Sequence, residues 1–245
     1  IMSIKNSALA ACVLGLFATG PSLLAQLVAD GGSVTISTAT NLAVNLVVGT
    51  NSGNTSLTIG AGGSVADVAG QIGLNASSDG NTVTVQTTTG SWINSGNLSV
   101  GVSGADNFLR LRTGGFISAD IVRIGENTPS DNNMAVVSGA TSVWTNSGNM
   151  NVGSSGSGNA LIITNGATVI NDSGIIGTQT GSSNNSVFLA DSGTLWSNRT
   201  DLRVGGSGTF NTLTVNAGAT ASAGVDLKPR TWKPQPGGSF GKRPG

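Results

Sequence analysis

Histidine and tyrosine are absent from the chain, and a single cysteine, Cys12, serves all 245 residues. Zinc and haem sites and every histidine-based catalytic triad are thereby ruled out as readings. Charge is scarce as well: 9% of residues are ionised, eleven basic against eleven acidic, for a net charge of zero. A neutral chain with so few lysines and arginines has no electrostatic footprint for nucleic acid. Aromatic residues make up only 4%. After residue 26 no apolar stretch keeps a 3.6-residue period, so helices are not expected. What the chain has in excess is glycine, 38 residues, about twice the usual share. Its mean hydropathy of +0.14 is too apolar for a disordered polymer.

Residues 1–25 read as an export signal. Lys5 supplies the positive start, Ala8 to Ala18 is an apolar run, and a break at Gly20-Pro21 precedes cleavage after Ala25. The apolar run is too short for a spanning helix. Leu9-Ala10-Ala11-Cys12 has the shape of a lipidation motif. It lacks an apolar stretch upstream, so Cys12 is expected to leave with the signal and the mature chain to be free of disulfides. Residues 26–40 form a lead-in or cap.

Repetition dominates the rest. Trp92, Trp144 and Trp196 are 52 residues apart, as are Gly49, Gly101, Gly153 and Gly205. Each 52-residue unit divides into two of 26. That step gives Thr55, Asn81, Asn107, Asn133, Asn159, Asn185 and Asn211. Two residues on come Leu57, Val83, Leu109, Ala135, Leu161, Val187 and Leu213, and two further Ile59, Val85, Leu111, Val137, Ile163, Leu189 and Val215. Apolar residues at i and i+2 share one face of a short strand, and flanking Gly and Asn supply sharp turns. Stacking each strand on its copy at about 4.8 Å per coil predicts an all-β fold. It is a parallel β-helix, or solenoid, of about seven coils of ~26 residues over 41–223, roughly 34 Å long. Residues 224–245 hold four of the six prolines and fall outside the repeat register, which predicts a disordered or frame-shifted tail.

Three groups of residues are candidates for function. Asp79, Asp106 and Asp131 lie just before the strand Asn on three consecutive coils, where clustered carboxylates would suit acid–base work on a polysaccharide. Short Asp side chains equally cap tight turns. Arg110, Arg112 and Arg123, on neighbouring strands, could clamp an acidic sugar. A strict 26-residue step groups Trp92, Trp144 and Trp196 with Ala66, Ser118, Ile170 and Ser222. Val65, Ile117, Val143, Val169 and Leu195, one position earlier, then claim the interior. The indoles would face outward as a ligand-binding ladder, or else pack locally. Val136, Ile162 and Phe188 occupy the alternate, outward column of the first strand and predict a contact patch. No metal site and no cofactor are expected.

The words Ser91-Trp92-x-Asn94-Ser-Gly-Asn97-Leu-x-Val-Gly101 and Val143-Trp144-x-Asn146-Ser-Gly-Asn149-Met-x-Val-Gly153, repeated more loosely from Leu195-Trp196 to Gly205, resemble the repeat of type V secretion (autotransporter) passengers. They are similar also to that of PEP-CTERM exported proteins of Gram-negative bacteria. The likeness covers residues 41–223. It implies an exported, cell-surface or extracellular β-solenoid, structural or adhesive rather than enzymatic, with a glycan or another cell surface as partner. A polysaccharide lyase or hydrolase is the alternative. An autotransporter ends in a membrane β-barrel and a PEP-CTERM protein in Val-Pro-Glu-Pro, an apolar span and a basic end. Residues 224–245 match neither, so contact with the outer membrane is expected only through a missing anchor or barrel, and a chain without one would be periplasmic.

Overall fold

The computed structural model describes residues 27–224, together with the strands Met2–Ile4, Leu227–Pro229 and Ser239–Lys242. Most of the segment read as an export signal, Cys12 and its expected cleavage site included, and most of the tail lie outside the described residues. Among those described, every regular element is a strand, and all pairings are parallel. The chain winds as a β-solenoid through three sheets in turn. Sheet B has eight strands, among them Thr82–Gln86 and Phe108–Arg112. Sheet C has nine, among them Ser91–Asn94 and Phe116–Ala119, and sheet A has ten, among them Leu98–Val100 and Val122–Ile124.

Sheet B takes a first step of 23 residues, Val34 to Leu57, and from there keeps a 26-residue step, pairing Leu57 with Val83, Val83 with Leu109, and Leu109 with Ala135. The other two sheets do not. Trp92 pairs with Val65 on one side and Ile117 on the other, and Trp144 pairs with Ile117 and Val169. Sheet C therefore advances by 27 and then 25 residues. Sheet A alternates between steps of 28 (Gly70 to Leu98) and 24 (Leu98 to Val122). A tryptophan coil runs 9, 6 and 11 residues between its inward positions (Val83, Trp92, Leu98, Leu109). The next coil runs 8, 5 and 13 (Leu109, Ile117, Val122, Ala135), which restores 26. The 52-residue repeat is thus the true structural unit.

This alternation reverses the expected orientation of the indoles. The strict 26-residue step placed Trp92, Trp144 and Trp196 in an outward column, but one extra residue in the turn before each of them swings the indole inside. All three are fully buried. A one-residue shift in a strand exchanges its two faces. The residues that were expected inside, Val143 and Leu195, are half-buried on the outer face, while Val65, Ile117 and Val169 line the same interior column as the tryptophans.

At the corner from sheet A into sheet B runs a ladder of asparagines. Asn81, Asn107, Asn133, Asn159, Asn185 and Asn211 are all buried. In each, Oδ1 accepts the backbone N–H of the residue 26 positions earlier, from Thr55 N onward, at 2.8–3.0 Å. From Asn81 to Asn185, the Nδ2 of each donates to the same Oδ1 of the next coil, at 2.9–3.1 Å. The left-handed backbone that the sequence assigns to these turns falls one residue earlier, on Asn54, Asp106, Asn132, Asn184 and Phe210. The ladder requires glycine beside it. A Cβ on Gly125, where φ is +73°, would lie 2.2 Å from Asn159 Nδ2, and Gly49, Gly73, Gly101, Gly153 and Gly177 are equally tight against their own rungs. Gly125→Ala combines left-handed strain with this clash and is expected to cost about 2–3 kcal/mol, read as a lowered urea midpoint. The same change at Gly181, which has nothing within 4 Å, should cost less.

Candidate functional site

The carboxylates and arginines are dispersed. Asp79 Oδ1 accepts the N–H of Ala105 at 2.7 Å, and Asp131 Oδ1 that of Ser157 at 2.6 Å. Both carboxylates occupy the same column two coils apart, stapling one turn to the next. Asp106 sits one position out of that column, in a left-handed turn (φ +55°), and its N–H donates to Asp131 O. The three share a corner of the rod, but two of them are engaged in holding backbone. Among the described residues, no group of three or more acidic side chains is arranged to hold a metal ion. Arg110 and Arg112 lie on sheet B, whereas Arg123 lies on sheet A beside Glu126 at 3.8 Å, with Ser99 Oγ donating to that same carboxylate. The three arginines therefore do not form one clamp.

Buried indoles cannot stack a sugar. What the tryptophans build is an internal polar clamp, and the chain holds three versions of it 52 residues apart. In the last, Trp196 Nε1 donates to Asn171 Oδ1 at 2.7 Å, Asn171 Nδ2 donates to Asn198 Oδ1 at 2.7 Å, and Asn198 Nδ2 donates to Ser222 O. Gly174 makes room: a Cβ there would lie 2.4 Å from Asn198 Oδ1 and 2.5 Å from Trp196 Cζ2. In the first, Asp67 replaces Asn171. Its Oδ2 accepts from Trp92 Nε1 at 3.0 Å, and Gly70 takes the role of Gly174. Burial pushes the Asp67 carboxyl up to about 6, although the Trp92 hydrogen bond and the nearby Leu46 backbone N–H pull the other way. In the middle version Ala119 supplies no acceptor and Val122 stands in place of the glycine. Trp144 Nε1 and both amide atoms of Asn146 are then buried without partners.

The sequence reading missed this clamp. Asp67, Ala119 and Asn171 fall on the 52-residue step, but half-steps of 26 hide their pairing with Asn94, Asn146 and Asn198. Restoring the full clamp with Ala119→Asn together with Val122→Gly should supply partners for Trp144 and Asn146. We expect a gain of about 1–2 kcal/mol, seen as a raised melting temperature, with Val122→Gly alone lowering it. Trp196→Ala, by contrast, opens a large cavity and should cost about 3–5 kcal/mol, which calorimetry would register as loss of structure.

The remaining candidate is the outer face of sheet B. Val136, Ile162 and Phe188 pair directly across three neighbouring strands, and all are half-buried by their neighbours. Arg110 continues the column below Val136, its guanidinium 4.7 Å from the centre of the Phe108 ring. Met134, beside Phe108, is 36% exposed. Arg112 lies at the edge, held by Gln86 Oε1 at 2.8 Å and 3.2 Å. Across the sheet B strands, the outward residues include no acidic side chain. The predicted contact patch is thus contiguous, and it ends in two arginines that have no carboxylate partner among the described residues. No family model, curated protein or solved structure matches the chain.

Proposed function

We propose that this protein is an exported adhesive β-solenoid of a Gram-negative cell surface, and that the outer face of sheet B binds an anionic polysaccharide. The observation that carries this reading is the strip from Phe108 and Arg110 through Val136 and Ile162 to Phe188. Apolar side chains in register make a flat track suited to sugar faces, as exposed apolar patches commonly mark contact surfaces. Arg110 and Arg112, which have no carboxylate partner among the described residues, suit anionic groups, and the absence of acidic side chains on the sheet B strands leaves no repulsion. A rigid rod also repeats its surface groups along its axis, so weak single contacts add up along a polymer. Export rests on the composition of residues 1–25, and the surface setting on the resemblance of the tryptophan repeats to autotransporter and PEP-CTERM passengers.

The column itself suggests the test. Thr58, Thr84 and Thr214 occupy the same outward position on other coils, so Val136→Thr, Ile162→Thr and Phe188→Thr together should leave the fold intact. Binding to immobilised polygalacturonate is expected to fall at least about tenfold, the equivalent of 1.4 kcal/mol, with an unchanged melting curve. Arg110→Gln with Arg112→Gln should remove the salt dependence of binding. Equal retention of the unaltered chain on neutral dextran would contradict the anionic-ligand reading. Expression of the whole chain in a Gram-negative host should yield periplasmic material beginning at Gln26, and an uncleaved cytoplasmic product would remove the export reading.

A further inference from the structure

The first and last clamps are the same device built from different side chains, and the difference is one proton. In the last, Asn171 both accepts from Trp196 and donates to Asn198 Oδ1. In the first, Asp67 accepts from Trp92 through Oδ2, and Asn94 Nδ2 donates to Ser118 O at 3.0 Å as Asn198 Nδ2 does to Ser222 O. Asp67 pairs with Asn94 in the register in which Asn171 pairs with Asn198. The two remaining oxygens, Asp67 Oδ1 and Asn94 Oδ1, are buried and accept no hydrogen bond, since the Leu46 N–H near the carboxyl donates to Ala69 O at 3.0 Å. Two acceptors stand where the last clamp has a donor and an acceptor.

We propose that Asp67 is held in the folded rod as a neutral carboxylic acid whose Oδ1–H donates to Asn94 Oδ1, so that the first clamp is a proton-binding site. One proton bound at Oδ1 satisfies both orphaned oxygens and leaves the Trp92 hydrogen bond in place. Among the described residues, nothing nearby provides a counter-charge. The segments packed around Asp67, residues 39–46, 68–72, 91–98 and 116–119, contain no ionisable side chain. Two coils further along the same corner, Asp120 is exposed and accepts from Ser147 Oγ. Burial favours the neutral form, in keeping with the upward displacement of the group to about 6.

The sign of the linkage follows. An unfolded Asp loses its proton near 3.8, while the folded one keeps it until about 6. Between those values the folded state binds the extra proton, so stability is greatest below the window and falls as pH rises through it. The opening equilibrium of the first clamp should rise by up to about tenfold per pH unit, on the order of a hundredfold in all. The Trp196 clamp, built on an amide, carries no such dependence. The N-terminal coils are thereby tightest in acid and loosen first as the medium turns neutral.

The test compares hydrogen exchange of the Trp92 and Trp196 indole N–H groups in the full chain from pH 4 to 7, where their ratio cancels the intrinsic chemistry. The ratio of the Trp92 to the Trp196 opening constant should climb on the order of a hundredfold in the unaltered protein. It should stay flat in Asp67→Asn, which copies the last clamp. The reciprocal Asn171→Asp should transfer the dependence to Trp196. Infrared spectra at pH 5 should contain the carbonyl stretch of a protonated acid that Asp67→Asn removes. A pH-independent ratio in the unaltered chain, or the absence of that band, would overturn the proposal.

Discussion

The structure depends on the asparagine ladder at the corner between sheets A and B. A solenoid coil must turn its backbone three times per circuit, and each turn leaves N–H and C=O groups that no strand can pair. Buried and unpaired, each would cost about 1–3 kcal/mol. Asn is suited to this place because its oxygen accepts two N–H groups from the coil before while its own N–H2 reaches the coil after. The rungs from Asn81 to Asn211 each hold the backbone of the coil beneath. From Thr55 onward this corner keeps a constant step of 26 and so sets the length of each coil that follows. The glycines at its side follow from it, since a Cβ would occupy the space of the amide.

With the coil length fixed at that corner, the other two sheets are free to trade residues. A tryptophan coil has one more residue before and one more after its sheet C strand, and two fewer at the ladder corner. That exchange brings an indole inside where the next coil has Ile117 or Val169. Large and smaller residues then alternate along the axis of the buried core. The polar group carried by each indole needs a buried acceptor, and this requirement explains Asp67 and Asn171 and the glycines opposite them. The middle clamp, with Ala119 and Val122, holds the ring by packing alone. The outer faces carry no part of this constraint, which leaves the sheet B surface free to differ from coil to coil.

Much of this is written in the sequence. The Leu57 and Ile59 columns, their 26-residue step and the parallel stacking are legible because side chains at i and i+2 face the same core. The outward apolar column of Val136, Ile162 and Phe188 follows from the same alternation. The orientation of the tryptophans was not legible from a uniform step. A one-residue insertion in the turn before Trp92 changes which face its ring occupies, and nothing local in Ser91-Trp92-Ile93-Asn94 distinguishes the two. The 52-residue spacing of the indoles is the signal that a half-step does not fully repeat. Asp79 and Asp131 show a different limit. Their spacing brings them onto one corner, as a catalytic pair would require, but each is spent on a backbone N–H of the next coil. Residue type and spacing alone do not separate a turn staple from an acid–base group.

The central claim is that a continuous asparagine ladder holds the coils in register. Hydrogen exchange of the asparagine side-chain amides, followed by NMR, tests it most directly. The Nδ2 protons of Asn81, Asn107, Asn133, Asn159 and Asn185 should exchange as slowly as the backbone N–H groups of sheet B, while those of the exposed Asn132 and Asn184 exchange at the rate of a free amide. Fast exchange of all of them, with the backbone still protected, would show that the coils stack without the ladder and would contradict the account.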